Sequence, residues 1–248
     1  MKFKAVVLAA GKGTRMKSEL PKVMHPVCGR PMLAVPVDIA LAAGAEEVAV
    51  VVGYKREQVE RWLSSAYDAR VTTHVQEEMN GTADAVRSAQ AAFAGYDGAV
   101  LILYGDVPNL PAAEVDAIVA LHQSGASPLT LLTAHDPTPN AYGKLVRTAD
   151  DRAARIVEHK DASEAERALT EVNIGVYLAD APFLNEGLSR MSNDNVQGEF
   201  YLTDLVEMAH ERSASANVRV ASDMDALHGV NTQDELARAE AYALAAGR

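Results

Sequence analysis

The apolar run Ala5-Val6-Val7-Leu8 empties directly into Ala9-Ala10-Gly11-Lys12-Gly13-Thr14-Arg15-Met16, with Leu20-Pro21-Lys22 close behind. No other feature restricts the fold as much. An apolar run of this kind reads as a strand buried on both faces of a parallel sheet. The small residues that follow let backbone N–H groups approach a ligand, and the glycines take turns that a Cβ resists. Lys12, Arg15 and Lys22 add positive charge, which suits a polyphosphate. Two commoner phosphate loops do not fit. The Gly-Lys-Ser/Thr end of the Walker loop is missing, and Met16 stands where the dinucleotide fingerprint has its third Gly or Ala.

Strand-like and helix-like patterns alternate through the first half. Strands are expected at 3–8, 47–52, 71–75, 99–104 and 129–134, and helices at 31–43, 55–66, 82–93 and 112–123. Pro36 should kink or delay the first helix, because it lacks an N–H. Past Asp136 the pattern becomes mixed: a hairpin over 144–148 and 154–159, strands at 171–179 and 218–221, and helices at 181–191, 202–212 and 231–246. The expected fold is α/β, a Rossmann-like, mostly parallel mixed sheet with helices on both faces. Ligands in such folds sit at the carboxyl ends of the strands. No linker or low-complexity stretch divides the chain, so residues 1–248 read as one domain.

The formal charge of -11 argues against nucleic acid or an anionic membrane as partner. Residues 1–30 run the other way: Lys2, Lys4, Lys12, Arg15, Lys17, Lys22 and Arg30 face only Glu19. Basic charge gathered at one loop of an acidic chain suits a small anionic ligand. A lone cysteine, Cys28, excludes an intrachain disulfide and agrees with a reducing cytoplasm. No apolar run approaches the roughly 20 residues of a membrane span.

Several segments, in order, resemble the sugar-phosphate nucleotidyltransferases. They are the loop above, Gln76 with Gly81-Thr82, Tyr104-Gly105-Asp106-Val107-Pro108, Tyr142-Gly143-Lys144, Val157-Glu158-His159-Lys160-Asp161-Ala162, Glu171-Val172-Asn173, Gln197-Gly198-Glu199-Phe200-Tyr201-Leu202-Thr203-Asp204 and Gly229-Val230-Asn231. Within that family, nearly the whole chain is similar to the uridylyltransferase domain of the bacterial N-acetylglucosamine-1-phosphate uridyltransferases. The hexapeptide periodicity of their C-terminal acetyltransferase β-helix is not seen in these residues. The resemblance implies a nucleotide-diphospho-sugar transferase fold with a nucleotide-binding half over 1–135 and a sugar-binding half over 136–248. It also implies a magnesium-dependent reaction of UTP with a sugar 1-phosphate, giving pyrophosphate and a UDP-sugar, UDP-N-acetylglucosamine for cell-envelope synthesis. The implied location is the cytoplasm; the oligomeric state is left open.

The chemistry asks for cations and aligned donors rather than a protein nucleophile, since the attacking phosphate is already anionic. Arg15 suits the β- and γ-phosphates through its rigid fork, and Lys22 suits the α-phosphate and incoming phosphate as a point charge. Asp106 follows a buried strand, where an oxygen ligand for magnesium belongs. The resemblance adds Asn231 as a second oxygen, though Asn231 also reads as a helix N-cap. Leu8, Ala9, Ala10, Gly11 and Gly13, with Gln76, Gly81 and Thr82, are the nucleotide-binding residues that the resemblance implies. Gly143, Glu158, Asn173 and Tyr201 fall on its sugar-contacting positions. The chain departs from the family pattern at Met79, where a second glutamine is usual, and at Lys144 and Ile174 beside the sugar pocket. Met79 keeps open a thymidylyl- or guanylyltransferase acting on another hexose 1-phosphate. A nucleotide-sugar-binding domain without catalysis is the reading from a different class.

Overall fold

The computed structural model describes residues 1–247. In chain order the elements are β1 (Phe3–Leu8), β2 (Pro26–Val27), β3 (Arg30–Pro31), α1 (Ala34–Ala42), β4 (Val48–Val52), α2 (Arg56–Ala66), β5 (Val71–Val75), α3 (Thr82–Ser88), β6 (Ala99–Tyr104), α4 (Ala112–Ser124) and β7 (Leu129–His135). The second half adds β8 (Lys144–Arg147), β9 (Ala153–Val157), α5 (Glu164–Arg167), β10 (Glu171–Asp180), α6 (Ala181–Arg190), α7 (Asp204–Glu211), β11 (Asn217–Ala221) and α8 (Gln233–Ala245). The main sheet runs β11-β7-β10-β6-β1-β4-β5, with β8 pairing to β10 and β9. Pairs within β6-β1-β4-β5 are parallel, as is β11 with β7; β10 runs antiparallel to β6, β7 and β8. This is a Rossmann-like α/β fold.

Period-two alternation along the strands splits the buried residues between two faces. Val48, Val50 and Val52 of β4 and Leu101 and Leu103 of β6 pack with Val37 and Ala40 of α1, Val59 and Leu63 of α2, and Val115 and Ile118 of α4. On the other face Ala49, Val51, Val100 and Ile102 meet Val86 of α3, Leu184 and Leu188 of α6, and Leu205 and Val206 of α7. Central strands are thus apolar at every position, as β4 and most of β6 are.

Local chemistry moves some boundaries. α1 starts at Ala34, which puts Pro36 in its first turn, where backbone N–H groups have no intrahelical acceptor to lose. α3 stops at Ser88 and tightens into a 3-10 turn over Gln90–Ala92; Ala89 N–H bonds to Val86 C=O at 3.1 Å, and Phe93 is buried. Two features place the site. The strand order reverses between β1 and β6, opening a crevice at their carboxyl ends. Antiparallel β10, with Tyr177 opposite Ile102, brings its leading residues Asn173 and Ile174 to that same edge.

Candidate functional site

Leu8 pairs with Tyr104 at the end of β1 and β6, and Gly105 N–H donates to Leu8 C=O at 2.9 Å. The loop after β1 and the carboxylate of Asp106 therefore leave the sheet side by side. Gly13 folds the loop back. Its φ is +59°, and a Cβ there would lie 2.6 Å from Lys22 Cβ. The close approach seats Lys22 over the strand ends, where its ammonium pairs with the Asp106 carboxylate and donates to Asn231 Oδ1 at 2.9 Å. Both charged side chains are mostly buried, Lys22 at 14% and Asp106 at 19% exposure.

Asn231 precedes α8 but does not cap it. Thr232 is the N-cap, and its hydroxyl accepts from Glu235 N–H in a capping box. Glu235 in turn accepts from Asn231 N–H at 2.7 Å and Thr232 N–H at 2.9 Å. The backbone of Asn231 is thereby fixed while its side-chain oxygen turns to Lys22. Val230 N–H donates to Asp106 C=O at 2.9 Å and locks the two segments together.

The oxygens of Asp106 and Asn231 converge on one cationic group, the Lys22 ammonium, so two hard donors already share a point that suits a cation. Among the described residues no group of three or more His, Cys, Asp or Glu side chains could hold a metal. The donor set fits magnesium, which takes one or two protein oxygens and fills its shell with water and phosphate.

Asp106 lies where two clefts meet. The first, of about 310 Å³, is lined by Leu8, Ala9, Ala10, Gly11, Lys22, Gln76, Met79, Gly81, Thr82 and Asp106. Gln76 follows β5 and is buried; its Nε2 donates to Gly81 C=O at 3.2 Å and to Asp84 Oδ2 at 3.0 Å. Gly81, at φ +106°, lets the start of α3 touch residues 199–200, since a Cβ would stand 2.5 Å from Phe200 C=O. Across that contact Phe200 N–H bonds to Asn80 C=O at 2.7 Å and Ala83 N–H to Phe200 C=O at 3.0 Å. The Thr82 hydroxyl accepts from Leu202 N–H at 3.0 Å, so it also belongs to this strap.

The second cleft, about 770 Å³, is lined by Arg15, Thr82, Asp106, Gly143, Glu158, Asn173, Tyr201 and Asn231 among others. Asn173 accepts from Gly175 N–H through its side-chain oxygen at 3.2 Å, which leaves its NH2 as the group to offer. Its own N–H bonds to Gly143 C=O at 2.9 Å. Burial pushes the Glu158 carboxyl up from its ordinary range; the Thr203 hydroxyl, at 3.0 Å, pulls it back, and Asp161 and Glu199 raise it further. The Tyr201 hydroxyl donates to Asp161 at 3.0 Å and accepts from Gln197 Nε2 at 2.8 Å. Its polar end is thus committed within the protein. Arg15 reaches the cleft with no hydrogen bond or ion pair to any described residue.

Every sequence-predicted site residue therefore lines one of two adjoining clefts, except Gly13, which packs against Lys22 instead. Sequence reasoning passed over Asp84 and Asp161. Asp161 was visible only as a carboxylate three residues after Glu158; Asp84 carried no separate signal.

The nucleotidyl transferase family profile matches residues 4–225. The chain is 45% identical over 239 residues to bifunctional protein GlmU of Geobacter sulfurreducens, covering 96% of this chain and 50% of that protein. It is 48% identical over 240 residues to GlmU of Sorangium cellulosum, covering 95% and 50%. With GlmU of Anaeromyxobacter sp. strain K the identity is 49% over 236 residues, covering 95% and 48%. The chain spans about half the length of the curated relatives it matches. Its fold is also similar to a solved structure described as a glucose-1-phosphate thymidylyltransferase of Bacillus anthracis with sucrose, at TM-score 0.79 and 19% identity over 97% of this chain and 95% of that one. No helix of the described residues is long and apolar enough to cross a membrane.

Proposed function

The chain belongs to the nucleotidyl transferase family, and from that premise we propose that it transfers a uridylyl group from UTP to a sugar 1-phosphate. An oxygen of the sugar phosphate attacks the α-phosphorus of UTP, the bond from that phosphorus to the bridging oxygen breaks, and pyrophosphate leaves. N-acetylglucosamine 1-phosphate is the acceptor and UDP-N-acetylglucosamine, a precursor for cell-wall synthesis, the product. The reaction belongs in the cytoplasm, where nucleoside triphosphates are made. The observation that carries the reading is the convergence of Lys22, Asp106 and Asn231 where the two clefts join.

Asp106 and Asn231 would hold magnesium. When bound, the ion offsets charge on the phosphates and organises them for displacement. Lys22 sits beside those oxygens on a flexible stem, so its charge can follow an incoming phosphate. Arg15, without a hydrogen bond or ion pair among the described residues, has its fork available for phosphate oxygens. The small residues Ala9 to Gly11 keep backbone groups close to the nucleotide. In the second cleft Asn173 offers a donor to the sugar, and Glu158 has Oε2 left to accept from a hydroxyl, its Oε1 being taken by Thr203. Tyr201 supports this wall through Asp161 and Gln197.

The test is a panel of nucleoside triphosphates with N-acetylglucosamine 1-phosphate or glucose 1-phosphate and magnesium, followed by pyrophosphate release. UTP with N-acetylglucosamine 1-phosphate should dominate. A second reading, thymidylyl transfer, is favoured by Met79, whose thioether lines the base cleft where an amide would discriminate. Brisk turnover of another triphosphate with none of UTP would replace the first reading by one of that kind. Calorimetric binding without turnover would indicate a non-catalytic module.

A further inference from the structure

We propose that Asp84 is a positioning residue that fixes the polarity of the Gln76 amide, and with it the choice among pyrimidine nucleotides. The inference rests on the reading that the first cleft takes the base of a nucleoside triphosphate. Gln76 is 5% exposed and lines that cleft. A side-chain amide has two poles of nearly equal shape, one accepting and one donating, so its chemical message depends on which pole faces the ligand. Here both protein partners of the amide are acceptors: the Gly81 carbonyl at 3.2 Å and the Asp84 carboxylate at 3.0 Å. They consume both N–H groups. The oxygen of Gln76 is the pole left over for a ligand, and Gln76 can only accept.

A uracil or thymine ring carries an N–H at position 3 and satisfies such an acceptor. Cytosine carries a lone pair there and opposes it. To welcome cytosine, the amide must turn over. Its oxygen would then confront the Gly81 carbonyl and the Asp84 carboxylate, losing two hydrogen bonds and facing two repulsions. The carbonyl alone is a weaker guard, because Gly81 C=O already accepts from Ala85 N–H at 3.1 Å within α3. Asp84 adds a full negative charge, and its bond to Gln76 is the one hydrogen bond that its carboxylate makes among the described residues. It is therefore not spent on capping α3, although it lies in the first turn.

Two variants separate this role from a structural one. Asp84→Asn keeps the shape but can donate as well as accept, so a turned amide regains a partner. Asp84→Ala removes the acceptor and gives a turned amide nothing. Equilibrium binding of UTP and of CTP, with magnesium, is measured for the wild type and both variants. The wild type should prefer UTP. Asp84→Asn should narrow that preference by about tenfold, the size expected for one hydrogen bond changing sides. Asp84→Ala should narrow it less. That order is opposite to the one general damage gives, where truncation hurts more than an isosteric change. A UTP preference unchanged in Asp84→Asn, or narrowed more in Asp84→Ala, overturns the assignment. Because the measurement is of binding, a protein that shows the expected order yet transfers nothing would support Asp84 and sink the transferase reading.

Discussion

Replacing Gly13 by alanine tests the geometry that seats Lys22. The added methyl meets two obstacles. At φ +59° an alanine is in the left-handed region, which costs about 1–2 kcal/mol. Its Cβ would also stand 2.6 Å from Lys22 Cβ, where carbon atoms pack best at about 3.5–4.0 Å, so one segment must retreat by on the order of 1 Å. Overpacking of that kind costs about 1–3 kcal/mol. Together the loss is about 2–5 kcal/mol, and at about 2–4 °C per kcal/mol for a chain of this size the Tm should fall by roughly 4–20 °C. Activity should suffer separately, because retreat carries the Lys22 ammonium away from Asp106 and Asn231, and a misplacement of about 1 Å can cost about 100-fold in rate. Thermal melting and pyrophosphate release read the two effects. Gly11→Ala is the control for stability: nothing lies within 4 Å of a Cβ there, and its stability should stay within about 0.5 kcal/mol of wild type, or about 1–2 °C in Tm. A Gly13→Ala protein with wild-type melting and turnover would refute the reasoning.

Asp106→Asn should lower kcat by about 10²–10³ while the circular dichroism spectrum is retained, and a chelator should stop turnover without shifting the Tm of the nucleotide-free protein, whose Asp106 is already paired with Lys22. Gly81→Ala should raise KM for both substrates, since its Cβ would strike Phe200 C=O at 2.5 Å and open the strap that joins the clefts; a change confined to one KM would count against that coupling. Burial, with Glu207, Glu158 and Asp161 nearby, pushes the Asp204 carboxyl up to about 6 from 3.8. A raised carboxyl destabilises the folded state as pH climbs from the unfolded value through about 6, so Asp204→Asn should raise the Tm at about pH 8 and leave it unchanged near pH 3; a gain equal at both would show that charge is not the cause.

Much of the candidate site was legible because its parts are local. The loop after β1 and the Asp106 turn after β6 each announce themselves within a few residues of an apolar strand. What joins them was not legible. Lys22 and Asn231 are 209 positions apart, and no periodicity predicts that one amide oxygen would meet that ammonium. Strand direction was hidden as well. β10 is buried at all but its last position, so its apolar pattern reads alike for parallel and antiparallel neighbours, although its reversal delivers Asn173 to the site. The cap of α8 is a contest between adjacent residues, settled for Thr232 because Glu235 stands three positions beyond it. The hydroxyl of Tyr201 and the amide of Gln76 each had several possible partners, and only the folded neighbours decide which pole remains for a ligand.

Asn80 to Ala83 and Phe200 to Leu202 hold each other by three hydrogen bonds at the rim of both clefts. The consequence is for anyone who would recombine relatives. A hybrid that takes its first half from one parent and its second from another cuts across this joint, and a mismatch there disturbs the edge of both clefts at once. Retargeting one reactant by exchanging residues 136–247 alone should therefore fail unless residues 80–83 travel with them.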